Sequence, residues 1–184
     1  MHHDVCTEIF LPEHILFQDA LWKYDKSGYI QEILVQLKYH GMGKLGGQLG
    51  SLLGFHLLSN PAFRQSKDYI LIPVPLHTSR KRKRGYNQAL LIAEGISSVT
   101  NIPVLEERCI TRIRNTQSQT GFNLDKRMQN IKDAFKVNKP EALSGRIPIL
   151  VDDVFTTGTT TFELSAAIMP YSKHEMGIVT VAMA

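Results

Sequence analysis

The stretch Ile149-Leu150-Val151-Asp152-Asp153-Val154-Phe155-Thr156-Thr157-Gly158-Thr159-Thr160 constrains this chain more than any other. It continues the apolar run Ile147 to Val151, and an unbroken run of that kind is the form of a central strand covered on both faces. Two carboxylates at the exit of such a strand must face a polar ligand or the rim of a crevice, because an unpaired buried charge is costly. Both are acceptors, so they match the adjacent hydroxyl donors of a ribose or a hydrated magnesium ion. Downstream, Thr156, Thr157, Thr159 and Thr160 place hydroxyls around Gly158, where the lack of a Cβ admits a ligand close to the backbone. A helix predicted over Thr159 to Met169 turns its first N–H groups into the same loop, which completes a cradle for a phosphate monoester. A helix cap alone needs one such polar residue, whereas positions 152–160 hold six. A Walker-B strand would require a G-x-x-x-x-G-K-[ST] loop, and Gly43-Lys44-Leu45 lacks both the hydroxyl and the upstream glycine spacing.

The rest of the chain supplies a sheet for this strand. Tyr69 to Ile72, ending at Pro73, Ile102 to Leu105, Ala134 to Val137 and Gly177 to Met183 are the further strand candidates. Between Tyr29 and Leu58 the apolar residues follow a helical period, with Ile30, Ile33, Leu34 and Leu37 in one stripe. After Gly41-Met42-Gly43, Leu45, Leu49, Leu52, Leu53 and Leu57 make a second. Another helix is expected over Asn87 to Ile96. Strands alternating with helices imply an α/β fold with a doubly wound parallel sheet, whose binding crevice lies at the carboxyl ends of the strands. Residues 1–60 read as a helical hood on a core of residues 61–184, the two together making one compact domain. Arg112 to Asn130 is polar and aperiodic in its first half, the mark of a mobile functional loop.

Charge is concentrated rather than spread. The chain of 184 residues carries a net +4, and Arg80, Lys81, Arg82, Lys83 and Arg84 are consecutive; subtracting those five cations leaves −1. That is unlike a nucleic-acid-binding domain with one broad basic face. By itself the run fits a solvated loop, a nucleic-acid patch or a small-polyanion site. Its place directly after a strand of the same sheet aims it at the crevice of the acid pair, where arginines can take phosphate oxygens through paired bonds. Apolar stretches fall well short of the roughly 20 residues of a membrane span. Met1-His2-His3-Asp4 shows no secretory signal, so no membrane insertion and a cytoplasmic location are expected. Cys6 and Cys109 make neither a disulfide framework nor a C-x-x-C knuckle.

The strand, the two acids and the T-T-G-T-T loop resemble the phosphoribosyl pyrophosphate motif of type I phosphoribosyltransferases. The run from Pro73 to Gln88 resembles the ComF branch of that superfamily, the competence-associated one, at every fixed position of P-V-P-L-H-x-x-R-x-x-x-R-G-[FY]-N-Q. Arg114, Thr116, Gln119, Arg127, Asn130, Ala134 and Phe135 match a third block of the same family. The resemblance reaches from about Tyr29 to Met183.

It implies a type I phosphoribosyltransferase fold in which Asp152 and Asp153 hold the ribose hydroxyls and act in catalysis with Arg80 and Arg84. Thr156, Thr157, Gly158, Thr159 and Thr160 take the 5′-phosphate; Leu76, His77, Arg80 and Arg84 take pyrophosphate, with the arginines ahead of the histidine. Arg114, Thr116, Gln119 and Arg127 belong to the flexible loop that closes over the ligand. Magnesium enters with phosphoribosyl pyrophosphate rather than on direct protein ligands. The reaction expected is transfer of phosphoribosyl to an unidentified nitrogen acceptor with release of pyrophosphate. Two other readings stand beside it: a non-catalytic module of the DNA-uptake machinery, with a competence helicase and single-stranded DNA as partners, and a regulator that senses phosphoribosyl pyrophosphate. A homodimer is compatible with any of these. Relatives commonly begin with a four-cysteine zinc module, whereas only Cys6 precedes position 100 here, so no zinc is expected. Thr156 stands where purine-salvage transferases often carry an acid, which argues against a purine acceptor.

Overall fold

A computed structural model describes residues 11–24, 28–39, 42–60, 63, 68–115, 133–172 and 174–184. Its centre is a parallel four-stranded sheet in the order Ile15–Lys23, Met176–Met183, Ile147–Phe155 and Tyr69–Pro73. The strands are β1 (Ile15–Lys23), β2 (Tyr69–Pro73), β5 (Ile147–Phe155) and β6 (Met176–Met183). Among the described residues the α-helices are α1 (Tyr29–Tyr39), α2 (Gly43–Ser59), α3 (Thr78–Arg84), α4 (Gln88–Thr100) and α5 (Thr159–Ile168). A small antiparallel pair, β3 (Ile110–Arg112) and β4 (Phe135–Val137), lies beside the main sheet.

Both faces of the sheet are covered. Along β5, Leu150 packs into one apolar cluster with Ile70, Ile72, Ile178, Leu164 and Ile168. Its neighbours Ile149 and Val151 enter the opposite cluster with Leu37, Leu53, Ile92, Ile96 and Val179. This is the two-residue period of a strand serving two cores at once, and it explains the unbroken apolar run in the sequence.

The architecture corrects the sequence reading in four places. The first 60 residues are not wholly helical: Ile15–Lys23 joins the main sheet as an edge strand, paired in parallel with β6. Phe17 lies over Gly177, where a Cβ would stand 2.3 Å from the ring. The basic run is a helix, not a loop, capped by the His77 side chain at its start and by Gly85 at φ 83 after its end. The expected strand Ile102 to Leu105 is reduced to a single parallel bridge between Val104 and Leu71. Finally, β5 runs on through Asp152 and Asp153 to Phe155, with Asp152 in register with Thr180.

That bridge fixes where the site must lie. From β2 the chain moves outward to Val104, whereas β5 occupies the other side of β2. Adjacent strands whose connections leave in opposite directions open a crevice at their carboxyl ends. Pro73 pairs with Val151, and Val74 N–H donates to the Val151 carbonyl at 2.9 Å. Beyond that bond the two motif segments diverge from neighbouring strands at the same end of the sheet.

Candidate functional site

Asp152 and Asp153 occupy successive positions of β5, so their side chains leave on opposite faces. Asp153 shares the face of Ile149 and Val151, and there it meets α1: the Lys38 ammonium lies 2.7 Å from its Oδ2. Burial by itself would lower the Lys38 pKa. The charge of Asp153 and the hydrogen bond to it, supported by Asp152, outweigh both burial and the repulsion of Arg84, and hold Lys38 above the ordinary lysine value.

Asp152 shares the other face. Its Oδ1 accepts from the Asp153 backbone N–H at 2.9 Å. Burial and the charge of Asp153 push its carboxyl up to about 7, against the pull of that backbone donor, Lys38 and Arg112. Arg112 is itself buried, with its guanidinium 5.4 Å from the centre of the Phe135 ring. Burial and then Arg80 lower its pKa, with Asp152 opposing them. One end of the sheet thus gathers two carboxylates with Lys38, Arg80, Arg84 and Arg112.

The helix α3 sorts its cations. Arg80 and Arg84 are half-buried and one helical turn apart, whereas Lys81, Arg82 and Lys83 are exposed. Lys81 pairs outward with Glu107. Arg84 donates from Nη1 to Gln88 Oε1 at 3.0 Å, which joins the end of α3 to the start of α4. Leu76 and His77 are half-buried in the stretch between β2 and α3. His77 Nδ1 accepts from the Ser79 N–H at 3.3 Å and meets Ser79 Oγ at 2.8 Å, so it caps the helix that carries the arginines. Asn87 caps α4 by accepting from the Ala89 N–H, and its Nδ2 donates to the Val74 carbonyl at 3.2 Å.

The threonine loop has its own scaffold. Gly158 adopts φ 71, and a Cβ there would fall 2.4 Å from Phe162 and 2.7 Å from Phe155. Those two rings meet edge to face at 5.7 Å. The Thr157 and Thr159 hydroxyls lie 2.7 Å apart, and Thr161 Oγ1 donates to the Gly158 carbonyl. The Phe162 N–H bonds that carbonyl at 2.8 Å, so the N–H groups of Thr159, Thr160 and Thr161 lie ahead of the first helical bond of α5. Thr156 is exposed and Thr160 half-buried. An opening bounded by those donors has the chemistry of an anion site.

Arg114 is exposed just past β3, while Thr116, Gln119 and Arg127 lie outside the described residues. Sequence reasoning passed over Lys38 and Arg112, and gave Tyr86 no role beyond its place in the Pro73 to Gln88 match. Lys38 had a signal, since it lies four residues after Leu34 on the shoulder of the apolar stripe of α1. Among the described residues no group of three or more His, Cys, Asp or Glu could hold a metal ion. No helix among them is long and apolar enough to cross a membrane.

No protein-family model matches the chain. It is 39% identical over 116 residues to competence protein F of Haemophilus influenzae, a match covering 62% of this chain and 50% of that protein. DNA utilization protein YhgH of Escherichia coli O157:H7 is 32% identical over 139 residues, which is 74% of this chain and 60% of the relative. Competence protein ComFC of Bacillus subtilis is 30% identical over 163 residues, 86% of this chain and 63% of the relative. The chain therefore spans between half and just under two thirds of the length of these relatives. Over the residues they share, it belongs to the ComF family.

Proposed function

We propose that the chain is a phosphoribosyltransferase of the type I kind, binding phosphoribosyl pyrophosphate at the carboxyl ends of β2 and β5. The observation that carries this reading is the meeting of Asp152 and Asp153 with Arg80, Arg84, Lys38 and Arg112 at one sheet end, next to the open start of α5. A sugar with vicinal hydroxyls and two separate phosphate groups matches that donor and acceptor set.

In the reaction, a nitrogen lone pair of the acceptor attacks the anomeric carbon as the bond to the pyrophosphate oxygen breaks, and pyrophosphate leaves with the electron pair. Asp152 and Asp153 accept from the ribose hydroxyls and fix the ring. Thr156, Thr157, Thr159 and Thr160 anchor the 5′-phosphate. Arg80 and Arg84 meet the charge that builds on the leaving group, so positioning and electrostatics supply most of the rate. Each carboxylate is opposed by a neighbouring cation, and this donor set fits a magnesium ion carried in on the pyrophosphate better than one seated directly on protein. Such an ion reduces the charge of the leaving group.

Calorimetry with phosphoribosyl pyrophosphate and Mg²⁺ tests the site: the Asp152→Asn/Asp153→Asn variant should lose binding, and an unchanged titration would sink the assignment. Pyrophosphate release across a panel of bases and amines tests turnover. No release with any acceptor would leave a binding module.

A second reading is favoured by the names competence protein F and DNA utilization protein, together with the outward face of α3. Lys81, Arg82 and Lys83 are exposed there. In this reading the chain contacts single-stranded DNA during uptake, beside a helicase partner. Three cations give a shallow salt dependence, which Arg82→Ala/Lys83→Ala should weaken further. Tight binding that survives loss of all five cations would place the DNA surface elsewhere.

A further inference from the structure

Lys38 stands outside both sequence motifs, yet it occupies one oxygen, Oδ2, of the Asp153 carboxylate that a sugar hydroxyl would use. It comes from the last turn of α1. The residue before it is pinned as well, because the Tyr86 hydroxyl donates to the Leu37 carbonyl at 2.6 Å. One helix end is therefore joined both to the acid strand and to the turn that follows α3. Lys38 and Asp153 are largely enclosed, with side chains 24% and 10% exposed. Arg84 is near enough to act against the ammonium and Asp152 near enough to support it.

A carboxylate lone pair given to an ammonium is not available to a hydroxyl on the same side. A ribose hydroxyl that takes over the Oδ2 lone pair displaces the ammonium from direct contact with Asp153 and brings no charge of its own, while Arg84 stays beside Lys38. An enclosed ammonium in that position is unfavourable unless another anion replaces the first. The diphosphate of the ligand is such an anion, and Arg84 already marks that side of the crevice as its site under the reading above.

Resting on that reading, we infer that Lys38 is a ligand-exchanged counter-ion, neutralising Asp153 in the open crevice and passing to a diphosphate oxygen when Asp153 takes the sugar hydroxyl. It is then a specificity-determining residue. A sugar phosphate without the diphosphate breaks the pair and offers nothing in return, so it binds poorly. The exchange also makes the end of α1 respond to occupancy of the site.

Calorimetry on the wild type, Lys38→Met and Lys38→Arg tests this with two probes, Mg²⁺-phosphoribosyl pyrophosphate and ribose 5-phosphate. Lys38→Met should bind the pyrophosphate ligand at least about ten-fold more weakly, as expected for loss of a charged partner. Ribose 5-phosphate should bind it as well as, or better than, the wild type. Lys38→Arg should keep the wild-type preference. Parallel losses for both probes, or no change in either, overturn the inference and leave the site reading standing. A wild type that binds neither probe overturns both. If Lys38→Met does not fold, wild type labelled with ¹⁵N-lysine replaces it: the Lys38 Nζ signal should move on saturation with the pyrophosphate ligand, and a signal that stays in place overturns the exchange.

Discussion

Gly50 of α2 and Gly95 of α4 face each other so closely that a Cβ built on Gly50 would lie 2.9 Å from the Gly95 Cα and 2.1 Å from the Ile92 carbonyl oxygen. The reverse also holds, since a Cβ on Gly95 would meet the Gly47 carbonyl oxygen at 2.2 Å. Two backbones in contact let α2 lie flat on α4, which begins after its cap Asn87 with Gln88, the acceptor of Arg84. Gly95→Ala should force the helices apart and lower stability by about 1–3 kcal/mol. Denaturant unfolding checks this, and a midpoint equal to the wild type's would show that the contact is looser than described.

The acid pair makes stability depend on pH. Asp152 titrates near 3.8 ordinarily and near 7 in the fold, so between those values the folded protein holds the additional proton. Its stabilising contribution is complete below the lower value and is lost as pH rises through about 7. Asp152→Asn cannot suffer that loss. Its melting temperature relative to the wild type should rise by about 3 °C or more from pH 5 to pH 8, on the usual scale for a chain of this size. A difference that is the same at both pH values would contradict the raised pKa.

The threonine loop depends on Gly158 for two independent reasons, its positive φ and its contact with the Phe155 and Phe162 rings. Gly158→Val should displace the first turn of α5 and reduce binding of the phosphoribosyl ligand at least about ten-fold, because misplacing groups by an ångström is enough to cost that much. Calorimetry reads the affinity and circular dichroism confirms that the fold persists. Full affinity in a folded variant would remove this loop from the site.

Tyr86→Phe isolates the tie between α1 and the turn after α3. It deletes the bond to the Leu37 carbonyl and keeps the ring, so the stability loss should be about 1 kcal/mol. Lys38 then loses part of its positioning, and affinity for the pyrophosphate ligand should fall a few-fold. A stability loss with no change in affinity would separate the tie from the site.

What could be read in advance followed from burial. β5 was legible because a strand covered on both faces is apolar along its covered length, here Ile147 to Val151, whereas its continuation through the two acids to Phe155 was not. β1 was not, because an edge strand on the sheet margin tolerates Gln18 and Asp19 and so breaks no rule of loop composition. The helical state of the five cations was hidden for a related reason. No apolar period marks α3, whose ends are set by the His77 cap and Gly85.

By itself the amino-acid sequence determined the alternation of helices and strands, the acid pair with its hydroxyl loop, and the adjacency of a basic run to a neighbouring strand. These are local patterns, written in residues close together along the chain. Only the tertiary structure decided which charges face which. Lys38 is 115 positions before Asp153, and Arg112 is 40 before Asp152, so the contact of the first two and the electrostatic influence between the second two depend on where α1 and β3 pack. The same packing divides the five consecutive cations between the crevice and the solvent. Arg80 and Arg84 are half-buried while Lys81, Arg82 and Lys83 are exposed, because α3 presents one face to the sheet end and the rest to water.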